Sequence, residues 1–157
     1  MIDVIMKRHS YRGKYSSTPV PRSDLTRIME AGLAAPSGCN RQTTGLIAVD
    51  DPAVLQRLHA VIQPPVGETA PAMICVLTRR VNAYRDRCFA IQDYSAAIEN
   101  MLLTIVELGY QSCCTKGISP MKTISAVRWH VSSAFPKSMI SSVSSLSALR
   151  KERPYRR

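Results

Sequence analysis

Apolar positions along this chain fall into helical stripes and short strand-like runs. Residues 2–8 mix apolar and polar positions loosely, as a short helix does. The stretch that follows, opening on Arg8, His9 and Ser10 and closing on Pro19 and Pro21, is polar and predicts an extended loop. Leu25, Ile28, Met29 and Leu33 share one face of a helix reaching about Ala35, with Ser23 or Asp24 as its cap. Residues 35–42 are loop chemistry, and residues 46–49 read as a strand. Asp50 or Asp51 then caps a helix with Pro52 in its first turn.

Residues 72–77, Ala-Met-Ile-Cys-Val-Leu, form a buried-strand run. The longest helical pattern starts near Asp86 and carries Ile91, Ala97, Ile98, Met101, Leu102, Ile105 and Leu108 at helical spacing. Gly109 is placed to end it, and residues 110–114 follow as a candidate strand. Helices and strands mix without regular βαβ alternation, which predicts an α+β fold rather than a doubly wound sheet. There are no internal repeats. Beyond Ile118 the periodicity fades, ten of the last forty residues are serine, and the chain ends in Arg-Lys-Glu-Arg-Pro-Tyr-Arg-Arg.

Length changes this picture little: 157 residues suit one domain with a real core. No run reaches membrane-spanning length and no signal-peptide pattern opens the chain, so a cytoplasmic location is expected. Cys39, Cys75, Cys88, Cys113 and Cys114 form no CxxC pair, and the three histidines are scattered. Reduced thiols and no metal site are expected. The net charge of +10 suggests a nucleic-acid partner until its distribution is counted. Residues 1–117 carry 13 Lys and Arg against 10 Asp and Glu, a net of +3. Residues 118–157 carry 8 against 1, a net of +7. The basic excess belongs to the tail, and no nucleic-acid-binding motif accompanies it.

Three clusters could carry chemistry. Arg8, His9, Ser10 and Arg12 offer two guanidiniums and a hydroxyl that could grip a phosphate; a solvated basic loop is the plainer alternative. Pro36, Ser37, Gly38, Cys39, Asn40, Arg41 and Gln42 offer donors and acceptors suited to a heterocycle with carbonyl and imide edges. A helix-ending turn uses the same residues. Gln92, Asp93 and Tyr94, with Glu99 and Asn100, lie on the long helix, where a buried partner, an interface, a ligand or a solvent face would each account for them.

Taken in order, RHSxR, PVPRSDLTRIMEAGLAAPSGCNRQ, VDDPAVLQRL, TAPAMICVL and QDYSAAIENMLLTIVELGYQSC resemble the nitroreductase family over residues 1 to about 118. The resemblance implies an α+β nitroreductase-like fold, a central sheet flanked by helices, and an obligate homodimer with FMN at the subunit interface. It also implies hydride transfer from NADH or NADPH to the flavin, then reduction of a nitroaromatic, quinone or similar acceptor. The flavin carries the redox chemistry, so no catalytic side chain is expected.

Carried over by position, Arg8, Ser10 and Arg12 resemble the phosphate and ribityl contacts, with His9 beside them. Pro36, Ser37 and Asn40, extended by Gln42, resemble the flavin-contacting loop that the other subunit contributes. Lys116 and Gly117 resemble the backbone pair facing the flavin N5 region. Two departures stand out: Thr43, Thr44 and Gly45 replace the usual proline and aromatic residue, and Cys114 stands where an aromatic is common.

The resemblance ends near Gly117, which divides the chain into an incomplete FMN-binding domain, 1–117, and a basic serine-rich tail, 118–157. Reading each tail codon from its third base fixes three residues. Met121-Lys122 gives glutamate, Trp129-His130 gives alanine, and Met139-Ile140 gives aspartate. The remaining choices permit L-A-R-L-L-G-I-P-K-E-Y-D-L-I, a nitroreductase-like tail, so the printed tail reads as out-of-frame sequence. Other readings are a non-catalytic FMN-binding or dimerisation remnant and a basic nucleic-acid-binding module.

Overall fold

Strand β2 (Met73–Thr78) is buried at all six positions, which is why its sequence runs apolar without alternation. Its two faces serve two cores. Ile74 and Val76 point into one with Leu25, Ile28, Ile98, Met101 and Ile105. Met73, Cys75 and Leu77 point into the other with Val54, Leu55 and Leu58. The structure is a computed structural model. It describes residues 2–60, 62, 65–116 and 142–151, with Lys116 and residues 142–151 described by backbone alone.

The elements in order are α1 (Ile2–Lys7), α2 (Arg22–Leu33), β1 (Thr44–Val49), α3 (Pro52–His59), β2, β3 (Asn82–Tyr84), β4 (Arg87–Cys88), α4 (Ala90–Glu107), β5 (Tyr110–Lys116) and β6 (Ser142–Lys151). Four strands form an antiparallel sheet in the order β1-β2-β6-β5. Thr44 pairs with Thr78 and Val49 with Met73 across β1 and β2. Helices α2 and α4 cover one face and α3 the other. This is the expected α+β layering, with the central sheet flanked by helices.

Helices α2 and α4 approach closely at Gly32, where an added Cβ would sit 2.8 Å from Met101 Cγ. Gly109, at φ +79°, turns the chain from α4 into β5. Asp51 caps α3 as anticipated, its carboxylate accepting from Val54 N at 2.9 Å.

Several local expectations need correction. Helix α2 has no side-chain cap: Pro21 precedes it in an extended conformation, and Ser23 and Asp24 lie inside its first turn. Asp24 is engaged by the Tyr110 hydroxyl, which donates to Oδ2 at 2.6 Å. Burial, then this carboxylate, pushes the Tyr110 phenol up to about 12. Leu33 and Ile91 are exposed rather than on the buried stripes. The long helix begins at Ala90, not near Asp86, because Arg85 and Asp86 form the tip of the β3–β4 hairpin with φ of 44° and 60°. Two positive-φ residues suit a tight hairpin turn, but Arg-Asp lacks the usual Asn-Gly signature. Finally, the sequence assigned no element beyond Gly117, yet β6 pairs with both β2 and β5. Ladder pairing is a backbone property, and the broken side-chain alternation of residues 142–151 does not prevent it.

Candidate functional site

The loop after α2 is built around left-handed backbone. Cys39, Asn40 and Gln42 have φ of 51°, 52° and 47°. Non-glycine residues there cost about 1–2 kcal/mol each, less for asparagine, so neighbours must hold them. Ser37 supplies two supports: its carbonyl accepts from Asn40 N at 2.9 Å, and its Oγ accepts from Gln42 N at 3.0 Å. The Ser37 hydroxyl proton remains available to donate. Asp93 supplies the other anchor. Its buried carboxylate accepts from Gly38 N at 2.8 Å and from Thr43 Oγ1 at 2.6 Å. Gly38 itself lies against Phe89, where a Cβ would come within 2.6–2.8 Å of ring and Cβ atoms.

Pro36, Ser37, Asn40, Gln42, Thr43 and Asp93 line a cleft of about 560 Å³ with the C-terminal end of α2. Pro36, Asn40 and Gln42 are exposed and Ser37 is half-buried, so the polar groups of the loop are accessible.

The N-terminal cluster is held differently. Ser10 makes a parallel bridge to Ser112 of β5, and Tyr11 N donates to Ser112 O at 3.0 Å. Tyr15 OH donates to Tyr11 O at 2.7 Å, and the two rings meet edge-to-face at 4.9 Å. This lays Ser10 and Arg12 along β5, both exposed. Arg8 Nε lies 3.9 Å from Glu99 Oε1 of α4. His9 Nδ1 meets the Lys7 carbonyl at 2.9 Å; a carbonyl only accepts, so Nδ1 carries the proton and Nε2 faces the Gln111 amide at 3.5 Å. Near Arg12 the Cys113 thiol is pushed up by burial, with Tyr15 and Arg12 acting in the opposite direction.

The structure therefore brings Arg8, His9, Ser10 and Arg12 to β5 and α4, and Pro36, Ser37, Asn40 and Gln42 to the α2–α4 cleft. None of the first group lines that cleft. Lys116 ends β5, where its backbone pairs with Ser144; Gly117 lies outside the described residues. Burial pushes the Cys75 thiol up to about 12, as befits a small core hydrophobe. Among the described residues no cluster of His, Cys, Asp and Glu could hold a metal ion, and no helix is long and apolar enough to cross a membrane.

From sequence, a buried partner, an interface, a ligand or a solvent face would each account for Asp93, and Thr43 stands out only as a departure from the nitroreductase pattern. A signal was present. Asp93 sits four residues before Ala97, which precedes Met101 and Ile105 at the same spacing, all on the buried stripe of α4. A carboxylate on that stripe needs buried donors.

Comparison with known proteins bears on the sequence signature and the fold. The Nitroreductase family profile matches residues 5–64. A protein from Thermus thermophilus named NADH dehydrogenase is 43% identical over 54 residues, which is 34% of this chain and 26% of that protein. The match thus spans about a quarter of that relative's length. An FMN-dependent nitroreductase from Clostridium difficile aligns over all of this chain and 90% of its own, at 26% identity and a TM-score of 0.75. A nitroreductase with bound FMN from Bacteroides fragilis aligns over 97% of this chain and 88% of its own, at 25% identity and a TM-score of 0.75. The resemblance read from the sequence is thereby borne out: the chain is nitroreductase-like in its N-terminal signature and in its fold.

Proposed function

We propose that this chain is an FMN-dependent oxidoreductase of nitroreductase type, working as a homodimer. NADH or NADPH is the electron donor, and a nitroaromatic, quinone or similar flavin-accessible compound is the acceptor. The carrying observation is that both candidate flavin segments, Arg8 to Arg12 and Pro36 to Gln42, lie inside the family-matched stretch, and that none of Arg8, His9, Ser10 and Arg12 lines the cleft of the second.

The donor sets fit the two ends of FMN. Arg8, Ser10 and Arg12 suit the phosphate and ribityl chain. Ser37, Asn40 and Gln42 offer the mixed donors and acceptors that the edges of a flavin ring require. Bound FMN supplies the redox chemistry; the residues of this chain bind and orient it. A cleft lacking the arginine cluster is what a site shared between two subunits requires. Exposed apolar side chains, Ile2, Ile5 and Met6 on α1 with Leu33 and Ile91, support the pairing reading.

Residues 118–157 are proposed to be out-of-frame sequence, on the strength of the three forced codon conversions. The pairing of β6 does not distinguish the frames. An intact alternate frame around codons 115–125 of the coding DNA that spells no nitroreductase-like tail would refute this. The function itself is tested by purifying the chain with FMN and following NADH and NADPH oxidation. Retained flavin with turnover supports the proposal. Retained flavin without turnover identifies a binding remnant, and no flavin retention refutes the assignment.

A further inference from the structure

The loop's left-handed residues are bracketed by one side chain. Gly38 precedes them and Thr43 follows them, and both donate to the two oxygens of Asp93, Gly38 N to Oδ1 and Thr43 Oγ1 to Oδ2. Asp93 is rigidly placed. Its own N–H donates to Phe89 O at 2.9 Å, inside the first turn of α4, and Ala97, Met101 and Ile105 below it are buried. The same turn supplies Phe89, against which Gly38 packs. Thr43 is 2% exposed and Asp93 5%, so the pair is shielded from competing water. Beyond Thr43 the chain enters β1 directly, and Thr43 O accepts from Arg79 N at 3.1 Å. The loop is thus fixed at both ends while its middle stays exposed.

We propose that Asp93 is a positioning residue whose buried carboxylate clamps Gly38 and Thr43 together. The clamp imposes the left-handed path that turns Asn40 and Gln42 into the cleft. Thr43 is then a functional half of the clamp, its hydroxyl fixing the loop exit. The consequence for flavin rests on the function proposed above; the clamp does not.

The experiment uses the full chain and the variants Thr43→Val, Thr43→Ser and Asp93→Asn. Exposed Cys39, inside the clamped loop, reports its order through its alkylation by iodoacetamide without flavin, counted by peptide mass spectrometry relative to exposed Cys88. FMN affinity is measured by flavin fluorescence titration. Losing a hydrogen bond to a charged group should raise the Cys39-to-Cys88 ratio and weaken FMN binding by roughly tenfold or more in Thr43→Val. Thr43→Ser, which keeps the hydroxyl, should restore both, and Asp93→Asn should match or exceed Thr43→Val. If Asp93→Asn does not fold, the valine and serine pair carries the test. An unchanged ratio in Thr43→Val overturns the clamp. So does labelling of buried Cys75 rising in step with Cys39, because the loss would then be global. A raised ratio in a chain that never binds FMN upholds the clamp and refutes the flavin assignment.

Discussion

The two candidate flavin segments are held in place by opposite means. Residues 36–42 form a strained loop that depends on side chains: the Ser37 hydroxyl, the Asp93 carboxylate and the Thr43 hydroxyl. Residues 8–12 lie along β5 through backbone pairing with Ser112; Tyr11 packs against Tyr15, while the Ser10 and Arg12 side chains stay exposed. A backbone-held segment tolerates changes of side chain; a side-chain-held loop does not. Substitutions of the exposed Ser10 and Arg12 should therefore alter ligand affinity alone, and substitutions in the loop should alter local order as well.

The largest effect removes the floor under both. Met101 is fully buried between α2 and α4, in the helix that carries both Asp93 and Glu99. Met101→Ala should cost about 2–5 kcal/mol of unfolding free energy and abolish flavin retention, checked by denaturant unfolding. The loop alone is attacked by Gly38→Val, whose Cβ would collide with Phe89. It should lower stability by about 1–3 kcal/mol and eliminate flavin binding, as calorimetry and fluorescence titration would show. Arg12→Ala sharpens the contrast. It should leave stability within about 0.5 kcal/mol while weakening FMN affinity roughly tenfold or more, with riboflavin affinity nearly unchanged.

Legibility in the sequence followed the same division. The buried stripes of α2 and α4 were readable from their helical period, and the strand at Met73–Thr78 from its unbroken apolar run. The candidate site residues were visible as residue types, since hydroxyl, amide and guanidinium groups on loops stand out. What held them was not. The Asp93 clamp joins positions 50 and 55 residues apart, and local spacing carries no record of such contacts. The β3–β4 hairpin was hidden because Arg85 and Asp86 turn without glycine. Strand β6 was hidden because the sequence of residues 142–151 lacks apolar–polar alternation.

The smallest predicted effect lies away from both segments. His59 is half-buried in a cleft of about 610 Å³, and neither ring nitrogen has a hydrogen-bond partner among the described residues. Burial lowers its pKa from 6.5, with Glu68 acting weakly against this. The unfolded chain therefore takes up this proton at higher pH than the folded one. Stability should be complete above pH 6.5 and decline as the pH falls below it toward the lowered folded value. Urea midpoints between about pH 7.5 and 5.5 should show that decline, and His59→Gln should flatten it without changing FMN affinity.

On the proposed function, the two segments meet on FMN only across a pair of subunits. Sedimentation of the FMN-loaded chain, followed at the visible flavin band, tests it most directly. The flavin colour should travel with a species of twice 17.4 kDa. Flavin colour travelling with a 17.4 kDa species, or remaining at the meniscus as free FMN, would contradict it.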